Sequence, residues 1–131
     1  MRIARGRQPG APSELRESTF TGRVWADPIL PPAGGIVVNN VSFEPGARTH
    51  WHRHEVAQVL YVVAGEGWIQ CRDGEGAPLT VGDTIHIPAG EEHWHGARPD
   101  TYVVHLAVSV GTTEWLDEVS QDDYIGASER R

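Results

Sequence analysis

Two histidines at alternate positions, His52 and His54, followed four residues later by Gln58, make up the first chemically suggestive group in this chain. On an extended strand, side chains two apart leave from the same face, so both imidazoles can reach one point. Gln58 follows after a short bend and offers an amide oxygen to that point. His93 closes the stretch Gly82-Asp83-Thr84-Ile85-His86-Ile87-Pro88-Ala89-Gly90-Glu91-Glu92-His93. We read His52, His54, Gln58 and His93 as four ligands of one divalent metal. Imidazole suits manganese, iron, nickel, copper or zinc, so the ligand set alone does not choose among them. The glutamine narrows the chemistry. Three imidazoles and an amide leave the site at +2, where a carboxylate would leave it at +1. A less neutralised cation polarises a bound hydroxyl or carbonyl more strongly and supports a higher oxidation state less well. Lewis-acid chemistry is favoured over oxygen activation.

Two more histidines point the same way. His95 is two residues beyond His93 and shares its face. His105 lies in an alternating run, with Val103, His105, Ala107 and Ser109 on one face and Tyr102, Val104, Leu106 and Val108 on the other. Six of the seven histidines, His86 excepted, are thereby expected to share one interior. His50 reads as pocket wall or surface, Trp51 and Trp94 as packing, Glu91 and Glu92 as solvated, and Cys71 as a small buried apolar residue.

The elements that must position these groups are short strands. Phe20 to Trp25 and Ile36 to Phe43 read as strands flanking a proline- and glycine-rich connection. Val59 to Val63 is a continuous apolar run, turned back by Ala64-Gly65-Glu66-Gly67 into Trp68 to Cys71. Asp73-Gly74-Glu75-Gly76 is a hairpin signal. Leu79 to Val81, Asp83 to Ile87, His93 to Ala97 and Thr101 to Val110 complete an all-β set with frequent turns, which implies a sandwich or barrel. Thr112 to Val119 reads as the one helix, with Thr113 as a cap. Residues 1–19 read as a flexible N-terminal arm, 20–124 as the domain and 125–131 as a frayed C-terminus. The chain of 131 residues suits one hydrophobic core.

Composition excludes several classes of function. The formal charge of -7, with no basic run to offset it, argues against a nucleic-acid surface. All 11 cationic residues are arginines, which removes lysine Schiff-base chemistry. One cysteine makes neither an intrachain disulfide nor a multi-cysteine metal cage. No apolar run approaches membrane-spanning length, so a soluble, cytoplasmic protein is expected.

Gly46-x5-His52-x-His54-x3-Gln58-x6-Gly65 resembles the first motif of the cupin superfamily, and Gly82-x5-Pro88-x-Gly90-x2-His93 resembles the second. The resemblance implies a small double-sheet jelly roll with the metal inside the barrel mouth. Two positions depart from the pattern: Gln58 replaces the usual glutamate ligand, and Ala97 the asparagine that ends the second motif. Phe43 to Thr49, Trp51-His52, Gln58, His93-Trp94-His95-Gly96-Ala97 and His105-Leu106-Ala107 more narrowly resemble the bacterial cupin hydroxynitrile lyases. That resemblance makes the glutamine ligand ordinary and implies manganese, with iron, nickel or zinc as alternatives. It also implies His95 and His105 as catalytic histidines near the cyanide, and a cyanohydrin as the small-molecule substrate. A metal-dependent dioxygenase, a polyketide-type cyclase and a non-catalytic binding cupin remain the competing classes on the same scaffold. Open sheet edges in a small jelly roll lead us to expect a homodimer or a higher closed homo-oligomer.

Overall fold

The computed structural model describes residues 1–7 and 9–129. Their framework is almost entirely antiparallel β. One sheet of six strands runs in the order β1 (Glu14–Arg16), β3 (Val24–Ala33), β4 (Ile36–Phe43), β12 (Val103–Val110), β7 (Ala57–Gly65) and β10 (Thr84–Pro88). The second sheet runs β13 (Thr113–Trp115), β6 (His52–His54), β11 (His93–Ala97), β5 (Arg48–Thr49) and β2 (Phe20–Thr21). In that sheet β8 (Gly67–Cys71) also pairs with β11, and β9 (Gly76–Leu79) pairs with β8. The two sheets curl together as a jelly roll, the expected all-β fold. A short C-terminal helix, α1 (Gln121–Ser128), follows.

Period-two patterning fixes which face is inside. On β12, Val103, His105 and Ala107 are buried while Val104, Leu106 and Val108 are half-buried, the alternation read from the sequence. Val24, Phe43, Leu60, Val62, Leu79 and Ile87 join them in the main core. A second, smaller core of Trp51, Trp68, Trp94, Val119, Tyr124 and Ala127 lies under the helix, so both tryptophans in question are packing residues. There Arg48 stacks on the Tyr124 ring at 4.4 Å, and the Tyr124 hydroxyl donates to the Ala97 carbonyl at 2.7 Å.

Several local expectations are corrected. The stretch Phe20 to Trp25 is two strands in different sheets, broken at Gly22. There φ is 81°, and a Cβ would lie 2.9 Å from Ala47, so glycine permits the corner. The supposed connection after it is strand: β3 continues through Pro28 with register shifts on either side of Leu30, bulges that tolerate proline in a ladder. Ala64 to Gly67 passes the chain from one sheet to the other and does not form a hairpin, since β8 pairs with β9 and β11. Gly74 does turn a hairpin, between β8 and β9.

The largest correction concerns the helix. Thr113 to Trp115 is a strand, in register with His54 to His52, where β-favouring threonine and tryptophan gain cross-strand partners. Helix starts only at Gln121, because the Ser120 hydroxyl accepts from the Asp123 amide and caps it. Residues 125–128, expected to fray, are its second half, with Ala127 and Ser128 buried. Of the expected frayed tail, Arg130 and Arg131 lie outside the described residues.

Candidate metal centre

Five histidines enter the interior: His52, His54, His93, His95 and His105 are all buried. His52 and His54 share the inner face of β6, and His93 and His95 share that of β11. The two strands are in register at His52 and His93, whose ring centroids are 4.2 Å apart. The other sheet supplies Gln58 from β7 and His105 from β12, so the site is closed by both layers. One imidazole nitrogen from each of His52, His93 and His95 lies within 4.8 Å of the other two, close enough for a shared cation. His54 stands outside that trio but adjoins it, its ring 5.1 Å from His52 and 5.4 Å from His93.

Each ring is aimed by its outer nitrogen. His52 Nδ1 donates to the His50 carbonyl at 2.9 Å and His93 Nδ1 to the Glu91 carbonyl at 2.9 Å. A carbonyl only accepts, so in both rings Nδ1 carries the proton and Nε2 is a bare lone pair. His54 Nδ1 meets the Thr113 hydroxyl at 3.0 Å, and its buried Nε2 has no hydrogen-bond partner among the described residues. The Gln58 amide nitrogen donates to Ser109 Oγ at 3.0 Å, turning Oε1 toward His93 Nε2 at 3.2 Å. Two lone pairs then face one another in a buried space, an arrangement that a shared cation stabilises. Burial pushes His93 down to about 4 and holds His52 well below the ordinary histidine range; His54 is lowered for the same reason. Neutral rings with inward lone pairs fit a divalent metal.

Beside this group sits a coupled pair. His105 Nε2 and His95 Nδ1 are 3.0 Å apart, one proton between them, with the Phe43 ring against both. His95 Nε2 is buried with no hydrogen-bond partner among the described residues. Burial holds His95 well below the ordinary range, aided by His105, and lowers His105 to about 4. Moving the shared proton changes what His95 Nε2 offers. When His95 Nδ1 holds it, Nε2 is a base; when His105 Nε2 holds it, Nε2 carries a proton of its own.

All of these groups except His93 line a cavity of about 230 Å³, walled on its apolar side by Phe20, Val37, Val41, Phe43 and Trp115. This is below the roughly 300–1,000 Å³ of most small-molecule sites, which suits a small substrate. The Trp115 ring lies 4.6 Å from His52 and 5.5 Å from Phe20.

His50 is half-buried and its side chain does not line the cavity; only its carbonyl serves the site, so five histidines share the interior instead of six. His86 is exposed on β10, outside the site. Glu92 is half-buried and pairs with Arg72 at 3.0 Å, while Glu91 accepts from the buried Cys71 thiol. The thiol is pushed up to about 12, chiefly by burial, as an inert packing residue would be. Sequence reasoning missed the groups that orient the site. Thr113 was hidden by the helix reading, although its hydroxyl is what a metal-binding histidine on a neighbouring strand needs. Ser109 was on the correct face of β12 but carried no role.

Residues 39–110, more than half of the chain, match the family model described as a cupin domain, and they include Gln58 and all five buried histidines. Over 111 residues the chain is 40% identical to an (R)-mandelonitrile lyase of Granulicella tundricola, covering 80% of this chain and 85% of that one. A cupin-like protein from Thermotoga maritima superposes with a TM-score of 0.87 at 37% identity, over 95% of this chain and 99% of that chain. The polyketide cyclase RemF from Streptomyces resistomycificus shares the fold, with a TM-score of 0.74 at 22% identity over 94% of this chain and 91% of its own. The matched motifs are the ones that converge on the buried histidine cluster, and the chain belongs to the cupin family.

Proposed function

We propose that this protein is a metal-dependent lyase that cleaves or forms cyanohydrins. The observation that carries this reading is the His95–His105 pair, buried at hydrogen-bond distance beside the metal-binding group in a small cavity. His52, His54, Gln58 and His93 would hold the cation, manganese before iron, nickel or zinc. When bound, it supplies Lewis acidity toward the hydroxyl oxygen of the substrate.

His95 Nε2 takes the hydroxyl proton, and the resulting charge is shared with His105 across their hydrogen bond. The electrons of the O–H bond form the carbonyl, the C–C bond breaks, and its electron pair leaves with the cyanide carbon. The imidazolium then returns the proton to cyanide, giving aldehyde and hydrogen cyanide with no net redox change. Phe43 and the surrounding apolar wall exclude water from the pair. The mandelonitrile lyase of Granulicella tundricola supports this substrate class. The half-buried outer face of β12 and the exposed Tyr61, Val63 and Tyr102 support a closed homodimer in solution. A concentration-independent monomer mass by light scattering would contradict the dimer.

Metal-loaded protein should release aldehyde and cyanide from mandelonitrile without consuming oxygen. His95→Ala and His105→Ala should keep their metal and lose about 10²- to 10⁴-fold in rate. A background rate from wild-type protein with metal bound would sink the lyase reading, and oxygen uptake with an enol or diol substrate would favour a dioxygenase.

A further inference from the structure

Among the described residues, one permanently charged side chain lines the cavity, and it is unrelated to the metal-binding group. Arg16 on β1 lines the cavity beside Thr19 and Phe20. Strand register shows why it faces inward. Arg16 is opposite Val24, Val24 opposite Phe43, and Phe43 opposite Val103, a row whose last three members are core residues. Of the 18 acidic residues in a chain of net charge -7, none lines the cavity. The lining is therefore cationic inside an acidic protein, before any metal charge is added. A neutral cyanohydrin makes no use of this.

Arg16 is also available. Its side chain is 40% exposed, and its ion pair to Glu14 uses one guanidinium nitrogen at 3.2 Å. Glu14 is itself 54% exposed, and such pairs are weak enough to be shared or replaced. The guanidinium fork matches a carboxylate in two-point geometry. β1 lies three strand spacings from β12, roughly 14 Å along the sheet. An anion held there would share the cavity with the histidine pair but stand apart from it, since Arg16, His95 and His105 all line that space.

We infer that Arg16 is a carboxylate-recognition point at the cavity rim, and that the preferred substrates are small carbonyl adducts carrying a carboxylate remote from the reacting carbon. This deepens the lyase reading and rests on its hydroxyl-binding cavity. The test is calorimetric binding of 4-(hydroxymethyl)benzoate and benzyl alcohol to metal-loaded protein, with cyanohydrin cleavage measured in parallel. Wild type should prefer the carboxylate by roughly 3- to 10-fold, the scale of an ion pair at a partly exposed arginine. Arg16→Gln should bring the ratio close to one, Arg16→Lys should keep part of it, and Glu14→Gln should raise it by freeing the guanidinium. A ratio near one in wild type, or a ratio unchanged in Arg16→Gln, overturns the inference even if cyanohydrins are cleaved. A preference that vanishes in Arg16→Gln supports it even if no cyanohydrin is cleaved, in which case only the lyase reading fails.

Discussion

Thr113→Val is the most discriminating single change available at the metal centre. The outer nitrogens of His52 and His93 are held by backbone carbonyls, which no substitution removes. His54 is held by a side chain, the Thr113 hydroxyl at 3.0 Å. Valine keeps the shape and strand preference of threonine on β13 but removes the hydroxyl that meets His54 Nδ1. The lost hydrogen bond by itself is worth about 1 kcal/mol. Its larger effect falls on the ligand, because partners of this kind typically govern 10- to 100-fold in metal affinity, about 1.4–2.7 kcal/mol. Competition against a chelator of known affinity, with metal content read by elemental analysis, measures this directly. Thr113→Ser, which restores the hydroxyl, should recover most of the loss. If Thr113→Val binds metal within twofold of wild type, or if the serine variant is as weak as the valine one, then His54 is not a ligand oriented by Thr113.

Other outcomes follow from the same site. Lowering His93 and His105 from 6.5 to about 4 means that the unfolded chain takes up protons first on acidification. Metal-free protein should keep its full stability above pH 6.5 and lose about 3 kcal/mol per histidine as the pH falls through 4, read by denaturant unfolding across that range. Flat stability from pH 7 to pH 4 would mean that these rings are not buried neutral. Gln58→Glu should bind metal more tightly yet turn over cyanohydrin on the order of tenfold more slowly, a barrier change of about 1.4 kcal/mol. Equal turnover at equal occupancy would remove the charge argument. Tyr124→Phe, which deletes the hydroxyl on the Ala97 carbonyl, should cost about 1–2 kcal/mol in thermal or denaturant unfolding, and an unchanged midpoint would show that bond to be idle.

How far the sequence could be read depended on whether the information was local. Alternation on β12 and the His-x-His spacings on β6 and β11 fix faces residue by residue, and the buried histidines are where those patterns put them. What failed was non-local. Nothing within Thr113 to Trp115 says that His52 to His54 lies beside it, and a segment of three residues takes its conformation from that neighbour. The bulged run through Pro28 is likewise strand because β4 pairs with it. His50 looked like a pocket residue because it is two positions from His52. The chain between them is not continuous strand, so the rule of alternation does not carry across Trp51. Arg16 drew no attention, since only the pairing of β1 with β3 turns it inward.

β11 has one face in each of the two cores. His93 and His95 point into the buried histidine cluster, while Trp94 between them packs 5.8 Å from the Tyr124 ring on the helix side. A single strand is thus a party wall, and its two compartments cannot shift independently. Tightening at the histidines should be felt as a change of surroundings by an indole that never meets the ligand. The helix, remote from any chemistry, becomes the place where occupancy can be watched from outside.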